Sequence, residues 1–222
     1  MHVWPPQLGT VAATICPWPL ERTGTTLATT SAPRLGERFT DAMTYAAQLH
    51  HDQVRKGTGT PYVSHLLAVA SLVLEHGGSE DHAIAALLHD ALEDQSDRTS
   101  AEELAKRYGP EVTRIVVACS DATSADKPPW QERKERYLAH LEATDEAVLL
   151  VSCADKLHNA RSILRDLRQD GPTLWDRFTA DVAGQRWYYG SLADVFARRL
   201  PGPLSDELRR TVNAILDEAV AT

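Results

Sequence analysis

The run Leu87-Leu88-His89-Asp90-Ala91-Leu92-Glu93-Asp94 brings four side chains that can bind metal or move protons to the polar end of an apolar stretch. An adjacent His and Asp offer an imidazole nitrogen and a carboxylate to one divalent cation. Glu93 follows His89 by four residues and Asp94 follows Asp90 by four, so a continuous helix would set both acids beside the pair. A second cluster lies at Val148 to Arg161, where Val148, Leu149, Leu150 and Val151 give way to Asp155, Lys156, His158, Asn159 and Arg161. There a buried helix is expected to end in polar groups. Asp155 and Asn159 are four apart and Ser162 is seven from Asp155, which lines a carboxylate, an amide and a hydroxyl along one face. A third segment, Arg55-Lys56-Gly57-Thr58-Gly59-Thr60-Pro61-Tyr62-Val63-Ser64-His65, joins two cations, a glycine loop and a histidine near a helix start. That combination suits a ligand rich in phosphate.

Metal chemistry can unite the three. His65, His89, Asp90 and Asp155 offer two imidazole nitrogens and two carboxylates, whose charge nearly balances a divalent ion. This mixed nitrogen and oxygen set suits manganese, iron or zinc better than calcium and leaves positions open for water and substrate. Manganese is the first expectation. Such an ion lowers the pKa of water toward neutrality, and Glu93 and Asp94 would steer that water or protonate a leaving oxygen. The remaining histidines, His50 and His158 among them, read as solvated or structural groups outside the site.

The elements that must position these groups are helical. Apolar residues recur at helical spacing from Phe39 to His50, Val63 to Glu75 and Asp81 to Leu92. Gly57 to Pro61 reads as a loop, and Gly77 and Gly78 close the second helix. Ser100 followed by Glu103 resembles a capping box, with Gly109 as the stop. Further helices are expected over Pro110 to Asp121, Trp130 to Glu142, Asp145 to Leu167, Val182 to Arg199 and Ser205 to Ala219. Tyr188, Leu192 and Phe196 share one helical face, so the run Trp187-Tyr188-Tyr189 reads as core packing rather than a base-stacking platform. With no strand signal and no internal repeat, the fold class is all-α. Residues 1–36, rich in Trp, Pro and Thr without a helical or strand period, read as a disordered or irregular tail, leaving 37–222 as a single domain.

Composition narrows the partners. The formal charge of −8 argues against a general nucleic-acid binder, so an anionic substrate must be held by local cations, backbone amides or metal. Nothing approaches the roughly 18 uninterrupted apolar residues a membrane span requires. Cys16, Cys119 and Cys153 lie far apart without paired spacing, as in a reducing, cytoplasmic setting. Oligomeric state is not legible.

The spaced set His65, His89-Asp90 and Asp155 resembles the HD metal-dependent phosphohydrolases. The strings RKGTGTPYVSH from Arg55, ALLHDALED from Ala86 and ADKLHNAR from Ala154 resemble, in order and spacing, the hydrolase domain of RelA/SpoT-type alarmone enzymes. The resemblance spans about residues 37 to 200. It implies a helical HD-domain bundle that uses manganese to remove the 3′-pyrophosphate of ppGpp or pppGpp, yielding GDP or GTP and pyrophosphate. By it, His65, His89, Asp90 and Asp155 are metal ligands and Glu93 and Asp94 the water-activating acids. Arg55 and Lys56 match cations at the guanine and phosphate end, and Asn159 and Ser162 match ribose or phosphate contacts. It also implies a stand-alone small alarmone hydrolase, without a synthetase domain. Ser64-His65-Leu66 departs from the family's frequent Asn-His-Pro. That leaves ppApp or another nucleoside phosphate as alternative substrates, and a module that senses nucleotides without turnover is a separate alternative.

Overall fold

Among the described residues ten α-helices follow one another: α1 Glu37–Leu49, α2 Val63–Glu75, α3 Glu80–Leu88, α4 Ala91–Asp94, α5 Ala101–Tyr108, α6 Pro110–Cys119, α7 Trp130–Ala143, α8 Glu146–Asp170, α9 Val182–Arg199 and α10 Pro203–Glu218. A 3₁₀ helix, Gly171–Arg177, joins α8 to α9. This computed structural model describes residues 34–120 and 128–218, all within the compact unit Ala32–Thr222. Among them there is no strand, only an isolated bridge between Val54 and Pro61 that pins the two sides of the glycine loop. The class is all-α, as the periodicity implies. The irregular tail expected over 1–36 falls outside the described residues except for 34–36, and Cys16 falls outside them too.

The bundle is organised around α8, which packs against α2, α3, α6 and α10. Its buried side Val148, Leu149, Val151, Leu157, Ala160, Ile163 and Leu167 keeps helical spacing throughout. The polar groups near Arg161 therefore do not end the helix: as the spacing to Leu167 implies, it runs on, reaching Asp170, because Ile163 and Leu167 still have core to fill. Its polar residues occupy one side of a continuing helix. Leu87 and Leu88 of α3 are fully buried, each contributing about 1.5–3 kcal/mol of hydrophobic stabilisation.

Helix starts follow local chemistry. Asp145 accepts from the Val148 amide at 3.2 Å and opens α8, while Asp181 accepts from the Gly184 amide at 2.8 Å and opens α9. At Ser100 the hydroxyl accepts from the Glu103 amide at 3.3 Å. The fully reciprocal box forms instead at Ser79, whose Oγ accepts from the His82 amide while His82 Nδ1 accepts from the Ser79 amide. Histidine in place of the usual Glu or Gln hides that signal in the sequence.

The expected helix Asp81 to Leu92 is not continuous. It breaks at His89 and Asp90, between α3 and α4. His89 Nδ1 donates to the Ala86 carbonyl at 2.8 Å, drawing on the acceptor that a continuing helix would give to the Asp90 amide. The shared-face argument for Glu93 and Asp94 thus does not apply across a single helix, although Asp94 N still bonds the Asp90 carbonyl at 2.8 Å.

Candidate functional site

Helix α2 supplies His65, the α3–α4 junction supplies His89 and Asp90, and the middle of α8 supplies Asp155. His65, His89 and Asp155 are buried, and one potential ligand atom from each lies within 4.8 Å of the others. His65 Nε2 is 3.2 Å from Asp155 Oδ1 and 3.6 Å from Asp90 Oδ2, and His89 Nε2 is 3.0 Å from Asp90 Oδ2. Asp90 therefore flanks both imidazoles while lying outside the three-residue group.

The donor chemistry fits a divalent cation. Both Nε2 atoms are buried without a hydrogen-bond partner, a costly arrangement unless something else receives their lone pairs. His89 Nδ1 faces a carbonyl that can only accept, so Nδ1 keeps a proton, and in the neutral ring that leaves the lone pair on Nε2 facing the carboxylates. Burial opposes protonation of His89, yet Asp90 and Asp155 raise its pKa well above the usual imidazole value: positive charge is favoured here. Burial also works against the Asp155 carboxylate, but Lys156, His65 and His89 hold its pKa well below the ordinary range. Burial lowers the pKa of His65, which favours its neutral form.

Neighbouring side chains aim the acids. Tyr62 donates its hydroxyl proton to Asp90 Oδ2 at 2.5 Å, and burial together with Asp90 raises the phenol pKa, keeping it a donor. Lys156 Nζ donates to Asp155 Oδ2 at 2.7 Å and Asn159 Nδ2 to Asp155 Oδ1 at 2.6 Å. Arg55 Nη2 donates to Asn159 Oδ1 at 2.9 Å, completing a chain from the glycine loop to α8. Ser162 Oγ instead donates to the His158 carbonyl at 3.1 Å.

Beside this centre opens a cleft of about 660 Å³, ordinary for a small-molecule site. Arg55, Lys56, Lys134, Lys156, Arg165 and Arg177 line it against the single carboxylate of Asp166, with Trp130, Phe178, Tyr188 and Tyr189 as aromatic wall. Asn159 and Ser162 line it too. The aromatic run is thus divided: Tyr188 packs with Leu192 and Phe196 in the core, yet Tyr188 and Tyr189 also face the cleft. Glu93 and Asp94 are not among the lining residues. Asp94 Oδ2 accepts from Gln53 Nε2 at 2.8 Å, and burial and Asp90 raise its pKa.

Several participants carry no distinctive mark in the sequence. Tyr62 and Lys156 sit inside the quoted strings without a role, and Gln53 carries no local signal. His158, which the sequence marks only as a solvated or structural group, has its Nδ1 2.7 Å from His65 Nδ1. His50 likewise stacks on Tyr62 at 5.3 Å between ring centres and donates to Gln53 Oε1 at 2.6 Å. The spacing of His158, three residues after Asp155 on one helix, was the available clue.

Comparison with known proteins agrees with this geometry. Residues 42–184 match the model of the HD domain family. The Xenopus tropicalis guanosine-3′,5′-bis(diphosphate) 3′-pyrophosphohydrolase MESH1 is 38% identical over 138 residues, covering 61% of this chain and 72% of that protein. Its Drosophila melanogaster counterpart is 35% identical over 147 residues, covering 65% and 77%. A solved structure, described as a metazoan ortholog of SpoT that hydrolyzes ppGpp and plays a role in starvation responses, superposes with a TM-score of 0.66 at 28% identity, covering 82% of this chain and 97% of that one. The chain belongs to the HD domain family, in the branch that holds these MESH1 and SpoT relatives.

Proposed function

We propose that this chain is a metal-dependent pyrophosphohydrolase that removes the 3′-pyrophosphate of (p)ppGpp-type alarmones, giving GDP or GTP and pyrophosphate. The observation that carries this is the pair of unpartnered, buried imidazole nitrogens facing Asp155 and Asp90 beside a cationic cleft. The MESH1 relatives and the SpoT ortholog, each named for this chemistry, support it.

His65 Nε2, His89 Nε2, Asp155 Oδ1 and Asp90 Oδ2 would hold a divalent cation, manganese first, since mixed imidazole and carboxylate ligation suits it. When bound, that ion polarises a phosphoryl oxygen and lowers the pKa of water. The chain's own groups do the rest. Arg55 and Lys56 neutralise and orient the phosphates, and Asn159 and Ser162 contact the ribose or phosphate. Asp94, made more basic by burial and by Asp90, takes the proton of the attacking water with Glu93 beside it. The bond from O3′ to its phosphorus breaks, the hydroxyl of water stays with the pyrophosphate, and the proton ends on O3′.

We assign residues 37–222 as the hydrolase domain, a small nucleotide rather than nucleic acid as ligand, and turnover of stringent-response alarmones as the role. The charge of −8 supports the second. No helix among the described residues is long and apolar enough to cross a membrane. The free thiols Cys119 and Cys153 support a cytoplasmic setting.

The test is chromatography of products from ppGpp, ppApp and nucleoside phosphates with manganese and the full chain. Pyrophosphate and GDP should appear from ppGpp, and Asp90→Asn and Asp155→Asn should each abolish them. Intact ppGpp and ppApp with metal-loaded protein would sink the assignment.

A further inference from the structure

We infer that His158 is a positioning residue that holds His65 in the tautomer whose Nε2 lone pair faces the metal centre. This rests on the assignment of His65 as a metal ligand.

The two rings meet Nδ1 to Nδ1 at 2.7 Å, with centres 4.8 Å apart and planes tilted by 42°. Only one proton can occupy that contact, because two N–H groups would point at each other. If His158 carried it, His65 Nδ1 would accept and the His65 proton would move to Nε2. There it would occupy the lone-pair direction a cation needs. Nε2 of His65 makes no hydrogen bond, although Asp155 Oδ1 is 3.2 Å away. The arrangement therefore matches His65 donating from Nδ1 and His158 accepting.

His89 provides the internal contrast. Its Nδ1 bonds a backbone carbonyl, which cannot donate, so its tautomer is settled by the main chain. His65 has an amphoteric partner, and its tautomer depends on which nitrogen of His158 is protonated. With Nδ1 accepting, neutral His158 carries its proton on Nε2, and His158 lines the cleft. A single imidazole thus couples the cleft to a ligand of the centre. Ser162 is bonded to the His158 carbonyl, and burial, then the neighbouring His65 and Arg55, disfavour a charged His158.

The experiment is long-range ¹⁵N–¹H NMR of the full chain, metal-free and loaded with Zn²⁺, combined with Mn²⁺ titration calorimetry of His158→Phe and His158→Gln. His65 should show Nδ1–H and His158 Nε2–H. Loss of a group that orients a ligand histidine weakens metal binding by about 10–100-fold, so His158→Phe should fall in that range. His158→Gln, whose amide oxygen can accept, should recover most of the affinity. A merely space-filling role would give the opposite order, because Phe keeps the ring and Gln does not. Wild-type affinity in His158→Phe, or an Nε2–H proton on His65 in the zinc form, overturns the proposal. If His158→Phe does not fold, the wild-type spectra alone decide. If the wild type binds neither ion, the ligand assignment fails, while the metal-free spectra still judge the pairing of the rings.

Discussion

Arg55 and Asn159, 104 positions apart in the chain, are joined by a 2.9 Å hydrogen bond from guanidinium to amide oxygen. Asn159 in turn donates to Asp155 at 2.6 Å. A cation on a glycine loop is thereby geared to a carboxylate in the middle of α8, so whatever grips Arg55 also bears on the candidate metal centre.

Arg55→Ala should therefore cost more than one surface charge. Losing a hydrogen bond to a charged group costs about 1.5–3 kcal/mol, or about 10–100-fold in kcat/KM. Arg55→Lys should rescue little, since an ammonium cannot reproduce the planar fork. Steady-state kinetics on ppGpp with a parallel melting curve checks this. Unchanged kcat/KM in Arg55→Ala would remove Arg55 from the site.

Stability should respond to metal. A ligand at 100 times its Kd stabilises the folded state by about 2.7 kcal/mol, so adding Mn²⁺ to chelator-treated protein should raise the melting temperature. His89→Ala and Asp155→Asn should abolish that rise. A rise that survives in both variants would place the ion elsewhere.

Gln53 should tune the acid limb of activity. Its amide donates to Asp94 and lowers a carboxyl pKa that burial and Asp90 raise. Removing the donor in Gln53→Leu raises that pKa further. If Asp94 works as a carboxylate, activity is lost as pH falls through its pKa, so the acid limb of the kcat/KM profile should move to higher pH. An unmoved limb would disconnect Asp94 from the rate.

Gly57 should resist substitution. Its φ of +82° lies in the left-handed region, and an added Cβ would meet Arg177 Cδ at 2.7 Å. Gly57→Ala costs about 1–2 kcal/mol in backbone strain alone. It also pushes Arg177 away from Asp166, which it reaches at 3.4 Å. A lower melting temperature together with a raised KM is expected. A change in neither would mean that loop and cleft relax freely.

Much was legible in the residues alone. The boundaries of α2 and α9 follow from apolar spacing, and the class follows because that period holds almost to the C-terminus. The three strings bearing chemistry were legible too, since residue type and local spacing are enough to mark them. The break at His89 and the bond from Ser162 to a backbone carbonyl were not. Each depends on a partner that local pattern does not name. His65 meets His158 across 93 positions and Tyr62 meets Asp90 across 28. Helical periodicity is written within a turn or two of chain, whereas which imidazole faces which carboxylate is decided only when α2, α3 and α8 pack together and exclude water from the space between them.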